Sequence, residues 1–293
     1  AAYFNEEGKP FQYEPINEIV EQEQSEEKIA AKQISIGNQA FASKYKIKYP
    51  YIAGSMYRGI SSKEMVVQMG KSNLIAFLGT GGLSLDSIRE DIDFIQSELN
   101  EDQSFGANIL YNFNSDKHEQ KLVALLLEKN VKKVEASAYM TISKHIVWYR
   151  ASGFNRDENG GVQENNHVLA KCSRLDVAEK FMSPPDTEIL DELVAEGKIT
   201  EDQALIAAQF PVSSDVCVEA DSGGHTDQSL PGIVFPVFYK LRAELQKKYS
   251  YQTPIFLGLA GGIGSPKAIV SSFMMEADFV LTGSINQCTP EAG

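Results

Sequence analysis

The stretch EADSGGHTD, residues 219–227, places a histidine and two glycines between carboxylates. It directly follows the apolar run Val216, Cys217 and Val218, and therefore lies where a strand is expected to end. Histidine is the side chain best suited to proton transfer near neutral pH, and glycine lets the backbone approach a ligand closely. The stretch is either an ordinary turn or a ligand site. We favour a site in which Gly223 and Gly224 meet a ligand and His225 acts on it.

Two more glycine-rich turns follow predicted strands. GLAGGIGSPKA, residues 258–268, carries Gly261 and Gly262 into a helix start at Ser265-Pro266, and LTGS, residues 281–284, ends in Gly283-Ser284. Backbone N–H groups at a helix start bind anions, and glycine lets a phosphate come close. These two turns predict a site for the phosphate of a cofactor, because barrels often bind phosphate after their last two strands.

Two polar side chains lie inside predicted strands, where an unpaired polar group is costly. Asn108 in GANIL makes either a structural hydrogen bond to a neighbouring loop or a contact to a flat heterocycle. Lys171 in HVLAKCS is explained equally well by a salt bridge to Glu135, one strand earlier, or by an oxygen of a cofactor. The sequence leaves both alternatives open.

Composition limits the function further. The chain has 293 residues and a net charge of −13, which argues against nucleic acid as the main partner. No apolar run is long enough to span a membrane, and no signal peptide is evident at the start. Three widely separated cysteines without a CxxC pair are typical of a reduced, cytoplasmic protein without a metal site.

Apolar runs alternate with helical patterns along the chain, which predicts an α/β fold, specifically a (β/α)8 TIM barrel. A doubly wound open sheet is the alternative. The fifth unit is interrupted by a helical insertion at 183–214, with Thr200 and Gln203 at capping-box spacing. The eight predicted strands are Tyr49–Gly54, Asn73–Gly79, Phe105–Leu110, Val131–Ala138, His167–Ser173, Asp215–Asp221, Pro254–Gly261 and Asp278–Gly283.

We predict an acidic lead-in segment at 1–40 and the barrel at 41–293. Thr289-Pro290-Glu291 has the pattern of a helix start, yet the sequence ends at Gly293. This pattern predicts that the chain is part of a longer protein.

Several separated motifs resemble the trans-acting, flavin-dependent enoyl reductases of bacterial polyunsaturated fatty acid synthases and trans-acyltransferase polyketide synthases. This group belongs to the nitronate monooxygenase-like superfamily. The resemblance covers about residue 40 to the C-terminus. The motifs that carry it are VEADSGGHTD, GLAGGIGSPKAIVSSFMMEADFVLTGSINQ, VEASAYM, YRASGF and AKCSR.

The resemblance implies a TIM barrel that binds FMN. By this similarity, Gly261-Gly262 and Gly283-Ser284 would hold the phosphate, and the isoalloxazine would contact Ala53-Gly54, Asn108 and Lys171. His225 matches the active-site histidine of the superfamily. Relatives usually continue into a C-terminal helical region, which is missing from this sequence.

The implied reaction is hydride transfer from NADPH (or NADH) through FMN to the β-carbon of an α,β-unsaturated thioester on an acyl carrier protein. His225 would bind the thioester carbonyl or relay a proton. The alternatives are an oxidase of the nitronate monooxygenase type and a flavin-binding synthase component without catalytic activity. An acidic carrier protein would need a basic docking surface, for which Lys44, Lys46, Lys48 and Lys247-Lys248 are candidates.

Overall fold

A computed structural model describes residues 36–111, 116–220 and 227–293. Residues 35–293 form one compact unit, whose centre is a closed barrel of eight parallel strands. The strands are β1 (Tyr51–Ala53), β2 (Ile75–Leu78), β3 (Gly106–Leu110), β4 (Lys133–Ser137), β5 (His167–Cys172), β6 (Asp215–Glu219), β7 (Phe256–Ala260) and β8 (Val280–Thr282). Each strand pairs with its neighbours in sequence, and β1 pairs with β8 to close the ring. The predicted TIM barrel is confirmed, and the open sheet is excluded.

Helices surround the barrel and connect its strands. They are α1 (Gln39–Tyr45), α2 (Lys63–Lys71), α3 (Leu85–Glu98), α4 (Asp116–Glu128), α5 (Lys144–Ala151), α6 (Leu175–Phe181), α7 (Thr187–Ala195), α8 (Glu201–Ala207), α9 (Pro231–Tyr249) and α10 (Pro266–Met274). Local sequence explains several boundaries. The spacing of Ile88, Ile92, Ile95 and Leu99 predicts one apolar helix face. In α3 the three isoleucines are buried, whereas Leu99 follows the last turn and is half-buried. Ser265 caps α10, with Pro266 in the first turn, as predicted.

The predicted insertion is also confirmed. Helices α7 and α8 lie within 183–214, and Thr200 and Gln203 form the expected capping box. A short antiparallel hairpin, Phe154–Arg156 paired with Val162–Glu164, is not predicted by the sequence pattern. Its strands have three residues each and are largely exposed, so they lack the apolar pattern by which strands are found.

One predicted helix start is wrong. The spacing of Ser61 and Glu64 predicts a cap at Ser61, but Ser62 is the N-cap of α2, and Ser61 instead donates a hydrogen bond to the carbonyl oxygen of Gly54. The predicted helix start at Thr289 stays a prediction. Thr289 follows a short 3-10 helix, Ser284–Cys288, in an extended conformation, and its carbonyl accepts a hydrogen bond from the N–H of Ala292 at 3.3 Å.

The end of the barrel at which the strands begin is filled by aromatic side chains. Phe41 of α1 stacks on Phe279, with ring centroids 4.2 Å apart, and on Tyr45 at 4.4 Å. These side chains are fully buried, so this end is closed by packing. The opposite end, where the strands finish, is the one at which barrels of this type bind ligands. Within the described residues, no helix is long and apolar enough to cross a membrane.

Candidate active site

A cavity of about 650 Å³ opens where β1, β7 and β8 end. It brings together five of the predicted site residues: Lys171, Gly261, Gly262, Gly283 and Ser284. Because β8 lies between β7 and β1 in the barrel, the two glycine-rich turns become neighbours. The cavity also contacts side chains that the sequence did not single out: Ser55, Met56, Tyr57, Ile60, Glu219 and Gln287.

The turn after β7 is shaped for close approach to an anion. Gly261 and Gly262 have φ values of 101° and 68°, in the left-handed region that favours glycine. The turn leads into α10, and the Ser265 hydroxyl accepts a hydrogen bond from the N–H of Ala268 at 3.3 Å. The positive end of the α10 dipole therefore faces this turn. A Cβ atom added at Gly262 or Gly283 would meet no protein atom within 4 Å. These glycines thus border open space, where a phosphate would fit.

Lys171 lies between two carboxylates. Its Nζ is 2.9 Å from Oε1 of Glu135 and 3.0 Å from Oε1 of Glu219. The side chains of these three residues are between 0% and 7% exposed. Burial by itself would lower the pKa of Lys171, but the two carboxylates outweigh it and hold the pKa above its ordinary value. Lys171 is therefore a permanent ammonium. The predicted salt bridge to Glu135 is present, and Lys171 also borders the cavity.

Glu135 connects this ion cluster to the end of β1. Its second carboxylate oxygen accepts a hydrogen bond from the N–H of Ser55 at 2.8 Å. Ala53 and Gly54 precede Ser55 and do not border the cavity directly. The N–H of Gly54 donates to the carbonyl of Thr282 at 2.8 Å, and a Cβ at Gly54 would lie 2.4 Å from the Leu281 side chain. In this structure Gly54 is needed for packing between β1 and β8.

Asn108 is buried near the end of β3 but does not border the 650 Å³ cavity. Its side-chain oxygen accepts a hydrogen bond from the Ser137 hydroxyl, and its backbone carbonyl accepts one from Thr80, both at 2.8 Å. Asn108 thus makes structural hydrogen bonds to a neighbouring strand and to the loop after β2, as one of the two predictions for it expects. Its predicted contact with a flat heterocycle stays a prediction.

Gly223, Gly224 and His225 lie outside the described residues, so their predicted roles stay predictions. Two residues that flank this segment lie beside the same cavity. Glu219 and Asp227 both border a second cavity of about 230 Å³, which also contacts Lys171. The ion cluster therefore separates two cavities at the same end of the barrel.

Of the other histidines, His145 is buried and His167 is half-buried, and loss of hydration lowers the pKa of His167 well below its usual value. No group of potential metal ligands occurs among residues 36–111, 116–220 and 227–293.

The proposed docking lysines lie at the opposite end of the barrel from the cavity. Lys44 pairs with Asp215, the first residue of β6, at 2.9 Å, and its side chain is only 14% exposed. It also borders a separate cavity of about 400 Å³ at the end where the strands begin. Lys247 and Lys248 lie in the last turn of α9, which runs back toward that same end. These lysines therefore lie away from the cavity, and their role in docking a carrier protein stays a prediction.

Glu219 is the main site residue that the sequence analysis missed. A signal was present, since Glu219 ends the apolar run VCVE just as Lys171 interrupts HVLAKC. A charged residue in such a strand needs a partner. Sequence could not show that each of these two residues is a partner of the other.

Comparison with known proteins supports this picture. The chain is 46% identical over 258 residues to the polyketide biosynthesis protein PksE of Bacillus subtilis, covering 88% of this chain and 34% of PksE. It is 40% identical to the polyketide biosynthesis protein ThaF of Burkholderia thailandensis, and the match covers 90% of this chain and 22% of ThaF. It is 36% identical to a polyunsaturated fatty acid synthase component of Thraustochytrium, and the match covers 88% of this chain and 17% of that protein. The chain is a homologue of these three proteins. It spans about a third or less of their length.

Solved structures agree. The enoyl reductase domain of MlnA, from the macrolactin biosynthesis cluster of Bacillus amyloliquefaciens, is 38% identical with a TM-score of 0.84, covering 88% of this chain and 58% of that one. FabK of Thermotoga maritima, 14% identical with a TM-score of 0.57, covers 87% of this chain and 64% of its own, and shares the fold. No family model matches the chain. The resemblance read from the sequence is confirmed.

Proposed function

We propose that this chain forms the FMN-binding barrel of a trans-acting enoyl reductase. The reaction transfers hydride from NADPH or NADH, through FMN, to the β-carbon of an α,β-unsaturated acyl thioester on an acyl carrier protein. The observation that carries the proposal is the cavity that joins the two glycine turns to Lys171. Similarity to an enoyl reductase domain, at 38% identity, supports the same reaction. The cytoplasm of a cell that makes polyketides or polyunsaturated fatty acids is the proposed location.

The residues present fit FMN. Gly261-Gly262, Gly283-Ser284 and the N-terminus of α10 offer backbone donors and open space to a phosphate dianion. Lys171 is already paired with two carboxylates, so the phosphate would be held mainly by backbone groups and not by this lysine. Bound FMN would supply the hydride-transfer chemistry.

The protein groups would position the reactants and manage the proton. Glu135 fixes both Lys171 and the Ser55 N–H, and so holds the wall of the cavity formed by the end of β1. His225 would hydrogen-bond the thioester carbonyl or relay the proton to the α-carbon. Ala53, Gly54 and Asn108 would shape the ring-binding surface from behind, and Gly223 and Gly224 would bring the histidine loop close to the ligand.

Anaerobic stopped-flow absorbance tests this function. The FMN-loaded protein is reduced with NADPH and then mixed with crotonyl-pantetheine or a crotonyl carrier protein. We expect the flavin to reoxidise while a butyryl thioester forms, and we expect His225→Ala to slow this step with FMN still bound. Flavin that stays reduced until air or a nitronate is added would contradict the proposal and favour an oxidase.

A further inference from the structure

Another cavity, of about 390 Å³, opens at the same end of the barrel, where β2 and β3 finish. It is formed by the turn after β2, the last residue of β3 and the first turns of α4. Tyr57 borders this cavity and also the 650 Å³ cavity, so the two are neighbours. The apolar part of its wall consists of the Tyr57 ring, Leu83, Leu110 and Leu122. Its volume lies in the range of small-molecule sites.

The turn after β2, GTGGLS at residues 79–84, determines where the Tyr57 ring lies. A Cβ atom added at Gly81 or Gly82 would be 2.9 Å from an atom of this ring, so the ring lies directly against both glycines. The Arg58 N–H donates to the carbonyl of Gly81 at 2.8 Å and fixes the backbone next to Tyr57. The two glycines therefore let Tyr57 form a wall that the two cavities share.

The two cavities differ in charge. Lys171 and Glu219 border the 650 Å³ cavity, whereas the described residues that border the 390 Å³ cavity include no lysine, arginine, aspartate or glutamate. The Thr80 hydroxyl borders the smaller cavity but already donates to the carbonyl of Asn108 at 2.8 Å. The pyrophosphate of NADPH would meet no lysine or arginine among these residues. A hydrocarbon chain suits this cavity better, because it needs no polar partner and gains free energy on leaving water.

We propose that the 390 Å³ cavity binds the acyl chain of the thioester substrate, and that Leu83, Leu110 and Leu122 set the chain length that is accepted. This inference rests on the proposed function. The carbons beyond the β-carbon need an uncharged space next to the cavity that would hold the reacting atoms. The space beside Tyr57 meets both conditions. Each CH₂ group buried there should raise affinity about fourfold.

Leu83 is the best position for a test, because it is half-buried in the turn and does not belong to the buried core. Leu83→Trp fills part of the cavity, whereas Leu83→Asn keeps a similar size and makes the wall polar. Leu205→Trp and Leu205→Asn are the matched controls. Leu205 is 64% exposed on α8 and borders neither cavity.

Isothermal titration calorimetry measures the binding of butyryl-, hexanoyl- and octanoyl-pantetheine to the FMN-loaded protein without turnover. For wild type and both Leu205 variants, we expect affinity to rise about fourfold with each added CH₂ group. Both Leu83 variants should bind the octanoyl compound at least about tenfold more weakly than wild type, and the butyryl compound within about threefold of it. The kcat/KM values for the corresponding enoyl thioesters should change in parallel, while NADPH reduces FMN at the wild-type rate.

Two results would overturn this inference and leave the proposed function standing. One is a chain-length dependence in the Leu83 variants that matches wild type, or none in wild type itself. The other is an effect of Leu83→Trp confined to the reduction of FMN by NADPH, which would place the nicotinamide cofactor in this cavity. If Leu83→Trp does not fold, Leu83→Asn carries the same test. A wild-type protein that reduces none of the enoyl thioesters would instead overturn the proposed function, and the inference with it.

Discussion

Replacement of Lys171 by methionine should strongly destabilise the barrel. The substitution keeps the length of the side chain but removes the ammonium that lies 2.9 Å from Glu135 and 3.0 Å from Glu219. The two buried carboxylates are then left without their cation. Loss of one partner of a buried ion pair costs about 3–5 kcal/mol. We expect a loss of this size in the free energy of unfolding at pH 8, measured by urea denaturation.

The loss should depend on pH in a defined direction. Without Lys171, burial and mutual repulsion disfavour the charged form of the two carboxyl groups in the folded protein. A carboxyl group whose folded pKa is raised binds an extra proton in the native state, so stability falls as pH rises through that pKa. The deficit of Lys171→Met relative to wild type should therefore shrink between pH 8 and pH 5.

Lys133→Met is the matched control, because it also replaces a strand lysine and removes one positive charge. Burial, with a smaller contribution from the charge of Lys46, lowers the pKa of Lys133 from 10.5 to about 8. Its Nζ is 3.3 Å from the Ser104 hydroxyl, a neutral partner. Below pH 8 Lys133 therefore stays charged in the folded protein, and burying this charge costs free energy relative to the unfolded chain. We expect Lys133→Met to stabilise the protein by about 1–3 kcal/mol at pH 7, with the gain fading between pH 8 and 10.5.

The same substitution at two strand lysines should therefore change stability in opposite directions. The reasoning would be refuted if both variants lost similar free energy, or if Lys171→Met cost less than about 1 kcal/mol. A deficit for Lys171→Met that stays constant from pH 5 to pH 8 would show that lost packing, and not unpaired charge, is the cause.

Three further predictions concern separate parts of the structure. Gly283→Val should weaken FMN binding at least tenfold in a fluorescence titration. It should change the free energy of unfolding by less than about 0.5 kcal/mol, because the added Cβ would enter open space. Equal FMN affinity of wild type and variant would exclude Gly283 from the phosphate site. Ser61→Ala should cost about 1–3 kcal/mol in urea unfolding, because it leaves the buried Gly54 carbonyl without the hydroxyl 2.8 Å away, whereas Ser87→Ala on the exposed start of α3 should be nearly neutral. His167 is half-buried and its pKa is lowered well below the usual value, so wild-type stability should fall by up to about 2 kcal/mol from pH 6.5 to 5. His167→Asn should lose this component of the acid sensitivity, and an unchanged slope would contradict a neutral histidine in the folded protein.

The sequence by itself determined the order of strands and helices and the end of the barrel at which a ligand is expected. It did so because these features depend on neighbours in the chain. The apolar face of α3, the caps at Thr200 and Ser265, and the glycine turn at 261–262 all follow from spacing over a few residues. The alternation of strand and helix then predicts a barrel with loops at one end.

Only the tertiary structure decided which charges meet. Glu135, Lys171 and Glu219 come from three successive barrel strands, and their contact depends on strand register and closure of the ring. The cap of α2 was misplaced by one residue because Ser61 is held by Gly54, a contact with the end of β1. Such partners are set by packing between distant segments. Residue types show that a buried charge needs a partner, but only the closed barrel determines which partner lies within 3 Å.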